Sequence, residues 1–121
     1  MNTAKFAIPK IDGGETYAGA IVNPDGTGHH IILLPGDHDD DTWDESMKWA
    51  NSVGGDLPDR VEQAMFYKHL SDQFPKDWYW SNSQHAADSD YAWCQGFTHG
   101  IQSSNHKDDT LRARAVRRVA I

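Results

Sequence analysis

The sequence predicts an α+β domain in which two capped helices accompany a small sheet that displays polar loops. Three observations lead there. The last third holds Trp78-Tyr79-Trp80-Ser81, Tyr91-Ala92-Trp93-Cys94 and Arg112-Ala113-Arg114-Ala115-Val116-Arg117-Arg118, short aromatic or β-branched runs between polar, Gly- and Ser-rich stretches, as expected of short strands. Two segments ahead of them carry helix start signals, and a Pro-Asp-Gly turn joins two earlier strand-like runs. At 121 residues the chain is sized for a single domain, residues 1–121. Only 38% of it is hydrophobic, so the core is small, and five Trp, four Tyr and four Phe compensate because aromatic rings bury the most area per residue.

Residues 1–15 read as a loosely held lead-in punctuated by Pro9, Gly13 and Gly14. Thr16 to Val22 is a strand. Asn23-Pro24-Asp25-Gly26 turns the chain, since Pro presets φ and Gly supplies positive φ, and His29 to Leu34 returns to make a hairpin that Pro35-Gly36 ends. A helix follows from about Trp43 to Val53. Thr42 is its N-cap, Glu45 completes a capping box, and Gly54-Gly55 stops it, with Trp43, Met47, Ala50 and Val53 on one face. Asp59 caps a second helix with Glu62 at the box position after Pro58; Val61, Ala64, Met65, Phe66 and Leu70 form its expected buried side, and Pro75 closes it. Strands are expected over Trp78–Ser83, Ala92–Phe97 and Arg112–Val119, with His99 to Thr110 left as a polar loop without periodicity.

The net charge is -7 and unevenly spread. Four of the eleven basic residues lie between Arg112 and Arg118, which leaves seven against eighteen acidic residues elsewhere. Such a surface disfavours nucleic acid, whose phosphates need clustered Lys and Arg, and suits a basic protein partner. The four arginines are expected to pair internally with Asp and Glu. No apolar run approaches the ~20 residues of a membrane span, so no membrane partner is expected. Met1 to Lys10 lacks the apolar stretch of a signal peptide, and the lone Cys94 excludes an internal disulfide. These features point to the cytoplasm, with export as part of a particle as the alternative.

No catalytic group and no metal or other cofactor is expected. Cys94 sits mid-strand beside Trp93, as a buried and inert thiol would. No Gly-x-Ser-x-Gly elbow or Gly-rich phosphate loop occurs. His29 and His30 are adjacent and point to opposite faces of a strand; His85, His99 and His106 lack zinc-ligand spacing. Asp37 to Asp41 holds four carboxylates but lacks the central Gly and distal Glu of an EF-hand, so it reads as a solvated turn feeding a capped helix. Asp88-Ser89-Asp90 reads as an Asx turn. The best binding candidate is the loop Thr98 to Asp109, which mixes small adaptable polar groups with His as a paratope does. From it His99, Gln102, Ser103, Asn105, His106 and Lys107 are the expected partner-binding residues, joined by Trp78, Tyr79 and Tyr91, which fit either an anchor or a core role; Trp80 and Trp93 read as core.

The order of helix, Gly55-Asp56-Leu57-Pro58-Asp59-Arg60, helix, Trp80-Ser81, Ala92-Trp93 with Phe97, and Arg114-Ala115-Val116-Arg117 resembles the C-type-lectin-like domains of unknown function found in phages, prophages and bacterial adhesins. These are similar in fold to formylglycine-generating enzymes and to the variable proteins of diversity-generating retroelements. The resemblance spans residues 16 to 121. It implies two helices packed on a small, twisted, mostly antiparallel sheet with long loops, N- and C-terminal strands close together, a ligand-carrying loop region before the last strand, and a phage or prophage origin. The chain departs from two functional subclasses. It lacks the paired cysteines of formylglycine-generating enzymes, and it lacks the Glu-Pro-Asn, Gln-Pro-Asp and Trp-Asn-Asp triplets that hold calcium in sugar-binding members. The scaffold alone carries over. The expectation is therefore a non-catalytic, phage- or prophage-encoded module that binds a host protein, for instance as an inhibitor of a defence protein such as a CRISPR complex in the host cytoplasm. A receptor- or glycan-binding component of a phage particle is one alternative. A metal-dependent enzyme using His85, His99 or His106 is the other.

Overall fold

The computed structural model describes residues 7–121, so residues 1–6 of the expected lead-in lie outside the described residues. The fold is α+β, with two helices and two mostly antiparallel sheets. Strands β1 (Thr16–Val22) and β2 (Gly28–Leu33) form the expected hairpin, and β8 (Val116–Ala120) pairs with the far side of β2, giving a three-stranded antiparallel sheet. The second sheet runs β3 (His38–Asp41), β7 (Leu111–Ala113), β4 (Trp78–Gln84), β5 (Tyr91–Gly96), β6 (Gln102–His106), and only its β4–β7 pair is parallel.

Helix α1 (Trp43–Ser52) starts where Thr42 Oγ1 accepts from the Glu45 N–H, and α2 (Arg60–Leu70) starts on a complete capping box between Asp59 and Glu62. Alternation along β4 and β5 then decides what each helix covers. Trp80, Ala92 and Cys94 face α1 and pack with Leu57, Ala50 and Leu34. Tyr79 and Phe97 face the other way, toward α2, and join Phe66, Phe74, Ile31 and Leu33 between the two sheets. There the Phe74 and Phe97 rings stack with centroids 4.2 Å apart, with Tyr79 edge-on to both. Each such pair adds about 0.5–1.5 kcal/mol beyond its buried area.

Four sequence expectations change. The Asp37–Asp41 run is not a turn: His38–Asp41 pairs as β3 with β7, and Tyr79 Oη donates to Asp37 at 2.6 Å. The strand expected over Arg112–Val119 is two strands. Arg114 and Ala115 carry the chain from one sheet to the other, where Leu34 N–H donates to Ala115 O and Arg114 Nη2 donates to Leu34 O, both at 2.9 Å. The polar loop His99–Thr110 contains β6, which pairs in continuous register with β5. Finally, α2 does not bury Val61 and Ala64. Both are exposed, while Glu62 and Gln63 are buried because each finds polar partners. The lead-in is also tied down at its end, since Arg117 binds both carboxylate oxygens of Glu15 at 2.9 Å and donates to Lys10 O at 3.0 Å.

The other arginines also find internal partners. Arg118 donates to both oxygens of Glu62 (2.8 and 2.7 Å), to Asp56 (2.8 Å) and to Leu57 O (3.1 Å), and His29 Nε2 lies 2.9 Å from the same carboxylate. Burial pushes the Glu62 carboxyl up, but Arg118, the Asp59 N–H and His29 outweigh it and hold the group below its ordinary range. Arg112 meets Asp37, Asp39 and Asp77. This node ties β7 to β3 and to the start of β4 within the second sheet, and the Glu62 node fastens α2 and residues 56–57 to β2 and β8 of the first.

Candidate binding surface around residues 98–101 and strand β6

Strand β5 ends at Gly96, opposite Trp78 on β4. The Trp78 indole lies flat against Gly96, so closely that a Cβ there would sit 3.0 Å from the ring. Phe97 follows, buried, its N–H donating to Asp77 O at 3.0 Å. The chain then turns through Thr98–Ile101 and closes with Gly96 N–H to Ile101 O at 2.8 Å. Gly100 makes that turn at φ +79°, and a Cβ on it would come within 2.5 Å of the Tyr67 ring of α2. Only Gly fits both demands. The result is a rigidly supported loop that holds apolar side chains in solvent: Ile101 is 57% exposed, Trp78 36% and, across a shallow gap on α2, Val61 58%.

Three adjoining hollows meet at this loop. One of about 240 Å³ lies between Trp78, Gly96, His99 and Ile101. One of about 430 Å³ reaches from Thr98 to Tyr67 and Lys76. A third, of about 540 Å³, runs from Gly100 past Val61 and Ala64 to Arg60 and Gln102. The two larger hollows are open, suited to contact with another surface rather than to enclosing a small reactant, and the smallest is more closed.

The expected binding residues divide between this loop and β6. His99 and Trp78 line the smallest hollow. Gln102 is held internally: its amide donates to Arg60 O (2.7 Å) and Gln95 Oε1 (3.0 Å) while its oxygen accepts from Arg60 Nε (3.1 Å). Ser103 and Asn105 lie on the α1 side, where the Cys94 thiol reaches Ser103 O and Asn105 Oδ1. His106 packs edge-on against Tyr91, and Lys107 sits over the Trp43 ring while donating to Gln84 Oε1 at 2.6 Å. Tyr79 is a correction. It is 1% exposed, and its ring fills the aromatic cluster under α2, so no partner reaches it.

Some residues of the surface escaped the sequence reading. Trp93, expected in the core, is half-buried, with the Arg60 guanidinium carbon 3.6 Å from its ring centroid and the His85 ring stacked on it at 5.1 Å. Ile101 was marked by an available signal, an isolated large apolar residue in a polar setting, whereas Val61 falls among the residues expected on the buried side of α2. Arg60 carried none.

Burial pushes the Cys94 thiol up to about 12, against a small opposing effect of the Ser103 backbone. His99, in the turn ahead of β6, and His106, at the far end of that strand, have its length of about 13 Å between them, and among the described residues no three His, Cys, Asp or Glu side chains gather as a metal ion would need. Asp88 makes the expected Asx turn, accepting the Asp90 N–H at 3.1 Å. No helix among the described residues is long and apolar enough to cross a membrane. No protein-family model matches this chain, and no curated protein matches it either.

Proposed function

We propose that this chain is a C-type-lectin-like domain acting as a non-catalytic protein-binding module, with residues 98–101, Trp78 and Val61 at the centre of its contact surface. The observation that carries the reading is the set of exposed apolar side chains on a rigid base: Trp78 seated on Gly96, Ile101 beyond a Gly100 pinned by Tyr67, and Val61 on the outward face of α2. A central apolar cluster with a polar rim is how protein interfaces concentrate their binding energy. The placement of β1 and β8 on either side of β2, and two helices ahead of the larger part of the second sheet, support the lectin-like reading. A phage-encoded inhibitor of a host protein is one setting in which such a module works.

The test is capture from lysate of the host cell, followed by calorimetry with the purified partner. Wild type is expected to bind one protein, and Ile101→Asp or Trp78→Ala to weaken it about tenfold or more with the melting temperature retained. Equal binding by wild type and Ile101→Asp overturns the site. Binding to a glycan array, lost on chelation of calcium, overturns the protein-partner reading in favour of a sugar ligand.

A further inference from the structure

Among the described residues four strand edges face outward from the sheets, and three of them are blunted. β1 is bulged between Tyr17 and Gly19. β3 is short, irregular in register and carries Asp39, Asp40 and Asp41. β8 carries Arg117 and Arg118, and its Val116 is already bridged to Asp56. Bulges, charges and cover are the usual ways in which proteins keep a sheet edge from pairing with another chain. β6 has none of them. It is Gln102-Ser103-Ser104-Asn105-His106, without Asp, Glu, Lys, Arg or Pro, and its five residues pair with β5 in unbroken register.

The backbone of β6 shows which groups are available. Gly96 N–H bonds Ile101 O, and Lys107 N–H bonds Asp90 O. In an antiparallel ladder the bonded pairs alternate, so Ser103 and Asn105 turn their backbone groups toward β5. Gln102, Ser104 and His106 turn theirs to the open edge, where among the described residues the His106 carbonyl alone is occupied, by the Asp109 N–H at 2.9 Å.

From this edge we propose that the chain binds an extended peptide segment of its partner by strand addition to β6, antiparallel, with basic residues at the segment's N-terminal end and an apolar residue at its C-terminal end. The two ends of β6 differ in that sense. Beyond His106 lie the exposed carboxylates of Asp88, Asp90, Asp108 and Asp109. The nearby cation Lys107 is engaged by Gln84 and the Trp43 ring. At the other end is the hollow of about 540 Å³ lined by Val61, Ala64 and Gly100. Its one cation, Arg60, is engaged by Trp93 and Gln102. Main-chain bonds would give such a complex its affinity, and the charged and apolar ends its direction. A second copy of this chain is a poorer occupant, since each copy carries a net charge of -7. The inference rests on the reading of the chain as a protein-binding module and names the class of ligand.

The probe is a synthetic eight-residue peptide with two Lys at its N-terminus, alternating Thr and Val, and a C-terminal Leu. Titration followed by amide NMR is expected to shift and protect Gln102, Ser104 and His106 saturably. A peptide with Glu in place of Lys is expected to bind about tenfold more weakly, and added salt to narrow the gap. Ser104→Pro removes an outward N–H that β5 does not use, so the fold is expected to survive and the affinity to fall about tenfold. N-methylation of alternate peptide residues tests the same bonds without altering the protein: one set is expected to abolish binding and the other to leave it. Unshifted β6 amides at millimolar peptide, or indifference to N-methylation register, overturn strand addition. So does protection of β6 in concentrated protein alone with a dimer in sedimentation, which assigns the edge to a second copy. If the captured partner is lost by Ile101→Asp but kept by Ser104→Pro, the binding reading stands and strand addition falls; if neither variant matters, both fall.

Discussion

The Glu62 node and the surface along residues 98–106 use polar side chains in opposite ways. At the node, Glu62 is fully buried and every oxygen lone pair it offers is met by Arg118, His29 or the Asp59 N–H. Along β6 there is no Asp, Glu, Lys or Arg, and one side of the backbone bonds nothing within the described residues except at His106 O. Charge is thus placed where it fixes α2 against the first sheet, and Asp, Glu, Lys and Arg are absent from the five residues of β6. Internal satisfaction makes a residue structural, and incomplete satisfaction at a solvent-facing edge leaves it open for contact.

Breaking the node should have the largest effect. Arg118→Met strands a buried carboxylate and is expected to lower the unfolding free energy by about 3–5 kcal/mol, read by chemical denaturation. The double variant with Glu62→Leu is expected to recover most of it; unchanged stability in Arg118→Met would mean that the node is not what joins α2 to β8. Gly100→Ala is a smaller perturbation on the other side of the comparison. A positive φ and the Tyr67 ring both oppose the new Cβ, and a loss of about 1–2 kcal/mol is expected, with NMR shifts at Tyr67 and Ile101.

Acid should separate the two regions further. The Arg117 hydrogen bonds, and next the Asp12 backbone, hold the Glu15 carboxyl down at about 2 from an ordinary 4.5. A depressed carboxyl stabilises the fold above its unfolded value and loses that contribution as pH falls through its folded value. Melting temperature is therefore expected to fall between pH 4.5 and about 2, and less steeply in Arg117→Gln. Glu62 acts with the same sign. Ile101→Asp should have the smallest effect on stability, within about 0.5 kcal/mol, since its side chain supports nothing.

The contrast between the regions also explains what the sequence made legible. Both helix starts, the first hairpin and the aromatic strands follow from local signals: Thr42 with Glu45, Asp59 with Glu62, and Pro24-Asp25-Gly26. β3 and β6 were hidden because neither His-Asp-Asp-Asp nor Gln-Ser-Ser-Asn-His alternates in hydropathy, and their pairing is dictated by neighbours distant in the chain. The break at Arg114-Ala115 has no Gly or Pro to announce it. The inward side of α2 was misread because hydropathy ranks Val61 above Glu62 and Gln63. Burial of Gln63 instead follows from amide bonds to Tyr79 O and Trp80 O, at 3.2 and 3.0 Å. Of the binding surface, His99 and Trp78 were visible as exposed-loop chemistry, whereas Val61 and Arg60 join it only through the folded chain.

The crossing at Arg114-Ala115 also bears on how the chain is made. One ten-residue stretch, 111–120, inserts β7 between β3 and β4 and lays β8 along β2. A ribosome delivering the chain at about 5–20 residues per second therefore holds every earlier strand before either sheet can close. Through that interval β2 and β4 present unpaired edges to the cell, with the Ile31–Leu34 run beside one of them. Chaperone occupancy on arrested nascent chains should persist through residue 110 and drop once residue 120 has cleared the exit tunnel.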